Sequence, residues 1–274
     1  MWRKFLSFVL VAWCCTTAFA AKVDTAEVYS RAMNKKVKTV VLLPDSYDKN
    51  KLYPVVYLLH GYSGNYANWA KAAAVQEAPD IYNEIIVCPD GGYGSWYWDS
   101  PVDPSFKYET YVSGELVEWV DKTFTTVKSP RGRAIAGLSM GGHGALYLAI
   151  KHPDVFGACG SMSGGVDIRP FPDNWDMAKR LGKYAEYPER WEKNTIVNML
   201  HLIEPNTLSI IIDCGTEDFF YKVNEELHQQ LLLRNIPHDY IIRPGAHTWP
   251  YWENAVAYQL LFFHNFFDKR NKAG

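Results

Sequence analysis

The sequence is poor in cysteine. It has five among 274 residues, and two of those, Cys14 and Cys15, fall near the start. The remaining three, Cys88, Cys159 and Cys214, are an odd number, stand in or beside apolar runs and form no C-x-x-C pair. That argues against a disulfide framework and offers no zinc-ligand spacing, so the three read as small buried residues. An excess of basic charge is also missing. Lysine and arginine total 28 against 30 acidic residues, which leaves no general electrostatic attraction for nucleic acid. Beyond residue 20 no apolar run is long enough for a stable membrane span. There is no internal repeat, no low-complexity tract and no linker long enough to divide two domains.

What is present begins with a three-part leader. "MWRK" supplies positive charge, "FLSFVLVAWCC" is apolar, and "TTAFA" ends in Ala18-Phe19-Ala20. This is the pattern of a secretory signal peptide, with cleavage expected after Ala20 and a secreted or periplasmic product. A lipid-anchored reading fits less well, because Trp13 stands where a small residue should precede Cys14. Loss of Arg3 and Lys4 takes the formal net charge from −2 to −4. Residues 21–274 are expected to form one domain.

The mature chain alternates strand-like and helix-like segments. Strands are expected at 36–44, 53–61, 83–92, 133–137, 156–165, 207–215 and 238–245. Helices are expected at 68–78, 111–124, 143–153, 220–235 and 251–267. Near-continuous apolar strands, each followed by a helix, indicate an α/β fold: a mostly parallel sheet covered on both faces. The first two of these strands are joined by "PDSYDKNKLY" without a helix, and the reading pairs them antiparallel. Residues 166–206 break the rhythm. They are rich in Pro, Trp, Asn and charge, with short helices around 174–181 and 188–200, and read as an insertion over the strand ends that shapes a ligand pocket.

One strand–turn–helix carries chemistry. "RAIAGLSMGGHGALYLAI", residues 133–150, holds Gly137-Leu138-Ser139-Met140-Gly141, a G-x-S-x-G pattern between a strand and a helix. A nucleophile elbow requires that context: a serine at the tip of a strained turn, with glycines letting strand and helix approach. The Met140 amide then faces a developing oxyanion. The competing reading is a glycine-rich packing connection with Ser139 as a helix cap.

A serine needs a base, and the base an orienting acid. Asp218 lies just past the strand 207–215, and His247 just past the strand 238–245, so parallel strands bring both to the edge that carries Ser139. Asp213 is still within its strand, and Glu217 needs the opposite turn direction. His143, His152 and His228 lie on helices, His238 precedes its strand, and His201 and His264 lack a strand-end context. A second oxyanion donor is expected from the backbone N–H of Tyr62, after His60-Gly61.

Together "YLLHGYSGNYANW", "DGGYGSWYWDSP", "AIAGLSMGGHGAL", "CGTEDFF" and "PGAHTWPYW" resemble the esterase D branch of the α/β-hydrolases. That branch includes feruloyl and acetylxylan esterases of carbohydrate esterase family 1, S-formylglutathione hydrolases and the mycolyltransferase antigens. The resemblance implies Ser139 as nucleophile, His247 as base, Asp218 as its orienting acid, Tyr62 and Met140 as oxyanion amides, and no metal or organic cofactor. It implies a serine carboxylesterase; the leader makes it exported, and export favours acylated plant oligosaccharides or polysaccharides as substrate, with feruloyl or acetyl groups as the acyl part. Export argues against a formylglutathione thioesterase. Acyl transfer of the mycolyltransferase type, that thioesterase, and a non-catalytic carbohydrate-binding protein on the same fold are the alternatives. Trp69, Trp96, Trp98 and Trp249 flank the motifs and are candidates to stack on a sugar or a phenolic acid.

Overall fold

The computed structural model describes residues 22–272. The expected leader, with its cleavage site at Ala20, lies outside the described residues. Eight strands form one sheet: β1 (Lys22–Ser30), β2 (Lys35–Leu43), β3 (Val55–Leu59), β4 (Ile85–Pro89), β5 (Arg133–Leu138), β6 (Ala158–Met162), β7 (Ser209–Gly215) and β8 (His238–Arg243). Their order is β1-β2-β4-β3-β5-β6-β7-β8. From β4 through β8 the neighbours are parallel; β1–β2 and β2–β4 are antiparallel. This is the α/β-hydrolase architecture.

The pairing of the second and third strands differs from expectation. β2 pairs with β4, not with β3. β3 is held on both sides by parallel partners, β4 and β5. A helical crossover separates β3 from β4, and a longer one separates β4 from β5, so both edges of β3 are taken. β2 can then pair only outside β4, and its link to β3 is a crossing rather than a hairpin. β1 has no counterpart in the sequence reading. Its "KVDTAEVYS" is mostly exposed, as suits an edge strand that solvates its outer face.

Helices cover both faces. They are α1 (Ala73–Tyr82), α2 (Tyr108–Thr110), α3 (Val117–Thr123), α4 (Met140–Lys151), α5 (Met177–Leu181), α6 (Pro188–Lys193), α7 (Ile196–Met199), α8 (Tyr221–Leu233) and α9 (Trp249–Lys272). Alternate residues of the central strands enter opposite cores. Tyr57 and Leu59 of β3 join one cluster with Leu146 of α4 and Leu227 of α8. Val56 and Leu58 join the other, with Val75 of α1 and Phe263 of α9. Burial on both faces explains why these strands read as unbroken apolar runs. Cys88, Cys159 and Cys214 are buried and unpaired. No helix among the described residues is long and apolar enough to cross a membrane.

Candidate active site

The site is built from the C-terminal ends of β3, β5, β7 and β8. At the end of β5 the chain turns sharply into α4, and Ser139 holds φ 55° and ψ −118° at the turn. Such a backbone is costly for a residue with a Cβ and persists only where the surroundings fix it. Here they do. The Ser139 amide donates to the Met162 carbonyl at 2.9 Å, and the Ser139 carbonyl accepts from His143 at 3.0 Å. Gly137 and Gly141 make the turn possible. A Cβ on Gly137 would stand 2.8 Å from the Leu59 carbonyl, and one on Gly141 would stand 2.6 Å from that of His60. The motif glycines therefore serve the close crossing of β3, β5 and α4.

Ser139 is not a cap. It makes no side-chain bond to the first turn of α4. Its Oγ lies 2.9 Å from His247 Nε2 instead. His247 stands in the loop between β8 and α9, and its Nδ1 lies 2.8 Å and 3.0 Å from the two oxygens of Asp218. The Asp218 side chain is fully buried, and its Oδ1 also accepts the Phe220 amide at 2.8 Å. An ionised carboxylate only accepts, so Nδ1 carries the imidazole hydrogen. That leaves the Nε2 lone pair directed at the Ser139 hydroxyl. Phe219 and Trp252 pack on the imidazole, with ring centres 4.2 Å and 4.8 Å away.

Of the two residues expected to supply oxyanion amides, Met140 follows the serine directly and Tyr62 lines its cleft. Met140 opens α4, so its N–H has no carbonyl one turn earlier to bind. Tyr62 follows Gly61 in the turn after β3, and both line the same cleft as Ser139. His60, by sequence only part of a turn, fixes that loop. Its Nδ1 faces the Gly61 carbonyl at 2.8 Å, and its Nε2 accepts the Gly91 amide at 2.7 Å. Accepting that N–H leaves Nε2 without a hydrogen, and burial holds this imidazole below its ordinary pKa. On the cleft side, burial, with Asp176 and Tyr93 beside it, pushes the Tyr62 phenol up to about 12.

The cleft has a volume of about 380 Å³. Of the four tryptophans expected there, it receives one, Trp249. The other three are a correction. Trp69, Trp96 and Trp98 are each about 1% exposed. Their indole N–H groups are spent internally, on the Leu59 carbonyl, the Trp175 carbonyl and His143 Nε2. Trp69 still supports the cleft, packing edge-on against Trp249 with ring centres 5.4 Å apart. The aromatic residues that do line it beside Trp249 are Tyr62, Trp175, Phe219 and Trp252. Two of them stood next to recognised signals: Phe219 follows Asp218, and Trp252 closes "PGAHTWPYW". Trp175 comes from the 166–206 segment and stacks on Phe219 at 5.6 Å and 17°. Nothing in its local sequence marked it.

Known proteins agree with this architecture. A family model described as Esterase matches residues 30–263. The chain is 26% identical to an acetyl esterase of Caldicellulosiruptor saccharolyticus over 249 residues, spanning 84% of this chain and 93% of the relative. Among solved structures, a ferulic acid esterase superposes with a TM-score of 0.78 at 31% identity, over 90% of this chain and 100% of the other. An S-formylglutathione hydrolase (FrmB) from Staphylococcus aureus reaches 0.77 at 19% identity, over 89% and 98%. At that identity the likeness shows the fold alone.

Proposed function

The chain belongs to the esterase family and is a carboxylic ester hydrolase, and from that premise we propose an exported serine esterase that removes feruloyl or acetyl groups from plant polysaccharides. The observation that carries the chemistry is the continuous hydrogen-bonded line from Asp218 through His247 to the Ser139 hydroxyl. In this reading Ser139 Oγ attacks the ester carbonyl carbon while its proton passes to His247 Nε2. The carbonyl π pair moves onto oxygen, and the amides of Tyr62 and Met140 hold that oxyanion. The tetrahedral intermediate collapses with cleavage of the C–O bond to the alcohol, which leaves with the proton from His247. Water then adds to the acyl-enzyme, giving its proton to His247, and the acid departs as Ser139 recovers its hydrogen. Asp218 stabilises the imidazolium formed in each half without taking its proton.

The substrate part rests on the cleft rim and on the relatives. Trp175, Phe219 and Trp249 present flat apolar surface beside the serine, suited to a phenolic acid or a sugar face. The similar proteins include an acetyl esterase and a ferulic acid esterase. Export rests on the leader composition of residues 1–20 and suits a polymer substrate outside the cell. Ser139→Ala is expected to abolish hydrolysis of p-nitrophenyl acetate and labelling by a fluorophosphonate, with an unchanged circular dichroism spectrum. Retained turnover would refute the assignment. Release of ferulate and acetate from xylan fragments then separates the two acyl groups.

A further inference from the structure

A second carboxylate on the strand that leads to Asp218 has no part in the reaction as written. Asp213 lies in β7 and is fully buried. Its Oδ1 accepts the Tyr251 hydroxyl at 2.5 Å, and its Oδ2 pairs with the Arg243 guanidinium. These two partners bracket the imidazole. Arg243 is the last residue of β8, Tyr251 lies in the first turn of α9, and His247 is on the loop between them. We propose that Tyr251, Asp213 and Arg243 act as positioning residues, a clamp that ties both ends of the His247 loop to one buried anion; this rests on the reading of His247 as the base.

The surrounding packing supports the clamp. β7 and β8 pair in register from Ile210↔His238 to Gly215↔Arg243, so the ladder already secures the strands and stops where the loop departs. Beyond that point the Thr216 amide donates to the Arg243 carbonyl and the Glu217 amide to the Gly245 carbonyl, both at 2.9 Å. Gly245 has φ 144°, and a Cβ there would run into the Tyr251 ring. The ring therefore lies directly on the turn that leads to His247, and its hydroxyl fixes the ring. Arg243 is steadied in turn by Tyr258, whose ring centre is 4.5 Å from the guanidinium carbon. A base held 2.9 Å from its nucleophile gains nothing if the loop is free to wander. A misplacement of about 1 Å can cost up to about a hundredfold in rate.

The test is Tyr251→Phe, which removes only the hydroxyl and keeps the ring over Gly245. Expected are a fall of about tenfold in kcat for p-nitrophenyl acetate with KM within about twofold, and fluorophosphonate labelling slowed in parallel. Amide exchange over residues 244–250 should quicken by about tenfold. Leu227→Ala, a destabilising change in the α8 packing, should show none of these effects per folded molecule. Arg243→Lys should retain more kcat than Arg243→Met. Wild-type kcat, or wild-type exchange across 244–250, in Tyr251→Phe overturns the clamp. If the unmodified protein neither hydrolyses the ester nor labels, the assignment of His247 as base falls instead, and the exchange comparison still decides whether the clamp holds the loop.

Discussion

Two histidines approach Ser139 by different routes, and their surroundings give them opposite work. His143 is four residues on, in the helix that follows the serine, and its amide bonds the Ser139 carbonyl. It is completely buried, with Trp98 donating to its Nε2 and the Gly165 carbonyl facing its Nδ1. Both nitrogens are committed, and burial lowers its pKa to about 4. His247 comes from 108 residues away, keeps some solvent access and has a buried carboxylate behind it. Its remaining nitrogen meets a hydroxyl. An imidazole that must stay neutral packs; one with an anion behind it can accept a proton and hold the charge. Nearness to the serine along the chain is therefore no guide to which histidine is the base.

The comparison breaks most visibly by removing each ring. His247→Ala is expected to lower kcat by about 10⁶-fold while leaving the melting temperature close to that of the parent, and Asp218→Asn to follow with a loss of about 10⁴-fold. Steady-state kinetics beside calorimetry checks both. His143→Ala should do the reverse. It empties a packed site and strands the Trp98 indole, at a cost of about 2–4 kcal/mol, or about 10 °C in melting temperature. Activity per folded molecule should stay within a few-fold of the parent.

The pH dependence of stability sharpens the same contrast. The fold favours neutral His143, so its contribution is complete above its ordinary pKa of 6.5 and is lost as the pH falls towards 4. The magnitude is on the order of 3 kcal/mol. His60, also held low by burial, titrates in the same direction. His143→Gln should therefore flatten part, not all, of the fall in melting temperature between about pH 6.5 and 4. The smallest expected effect lies at the cleft rim. Trp175→Ala should raise KM about fivefold for a feruloyl ester and leave that for p-nitrophenyl acetate within about twofold, in line with the loss of one stacking surface. Equal changes for both esters would remove Trp175 from the acyl or alcohol contact.

Much of this arrangement was legible in the chain. The buried strands announced themselves as apolar runs such as Val55–Leu59, and the elbow as glycines around Ser139. Asp218 and His247 were candidates because each follows a strand end, and parallel strands share an edge. The edge strand β1 was not legible, because its mostly exposed, charge-bearing residues lack an apolar signature. Nor was the β2–β4 pairing, which depends on β3 having both edges occupied. The tryptophans failed for a related reason. An indole suits a core and a cleft equally well, and whether its N–H finds a carbonyl inside, as in Trp69, or its ring lines the cleft, as in Trp249, is a matter of distant partners.

By itself the sequence determined the local chemistry: where the buried strands and their helices fall, which serine sits in a strained turn, and which residue types stand at strand ends. These follow from periodicity, glycine permissiveness and short-range sterics, which act within a few residues. Only the tertiary structure decided that Asp213 bonds residues at both ends of the His247 loop, and that Trp175 reaches the cleft from the 166–206 segment. Those outcomes depend on burial and on hydrogen-bond partners supplied by segments far away in the chain, and no local pattern records them.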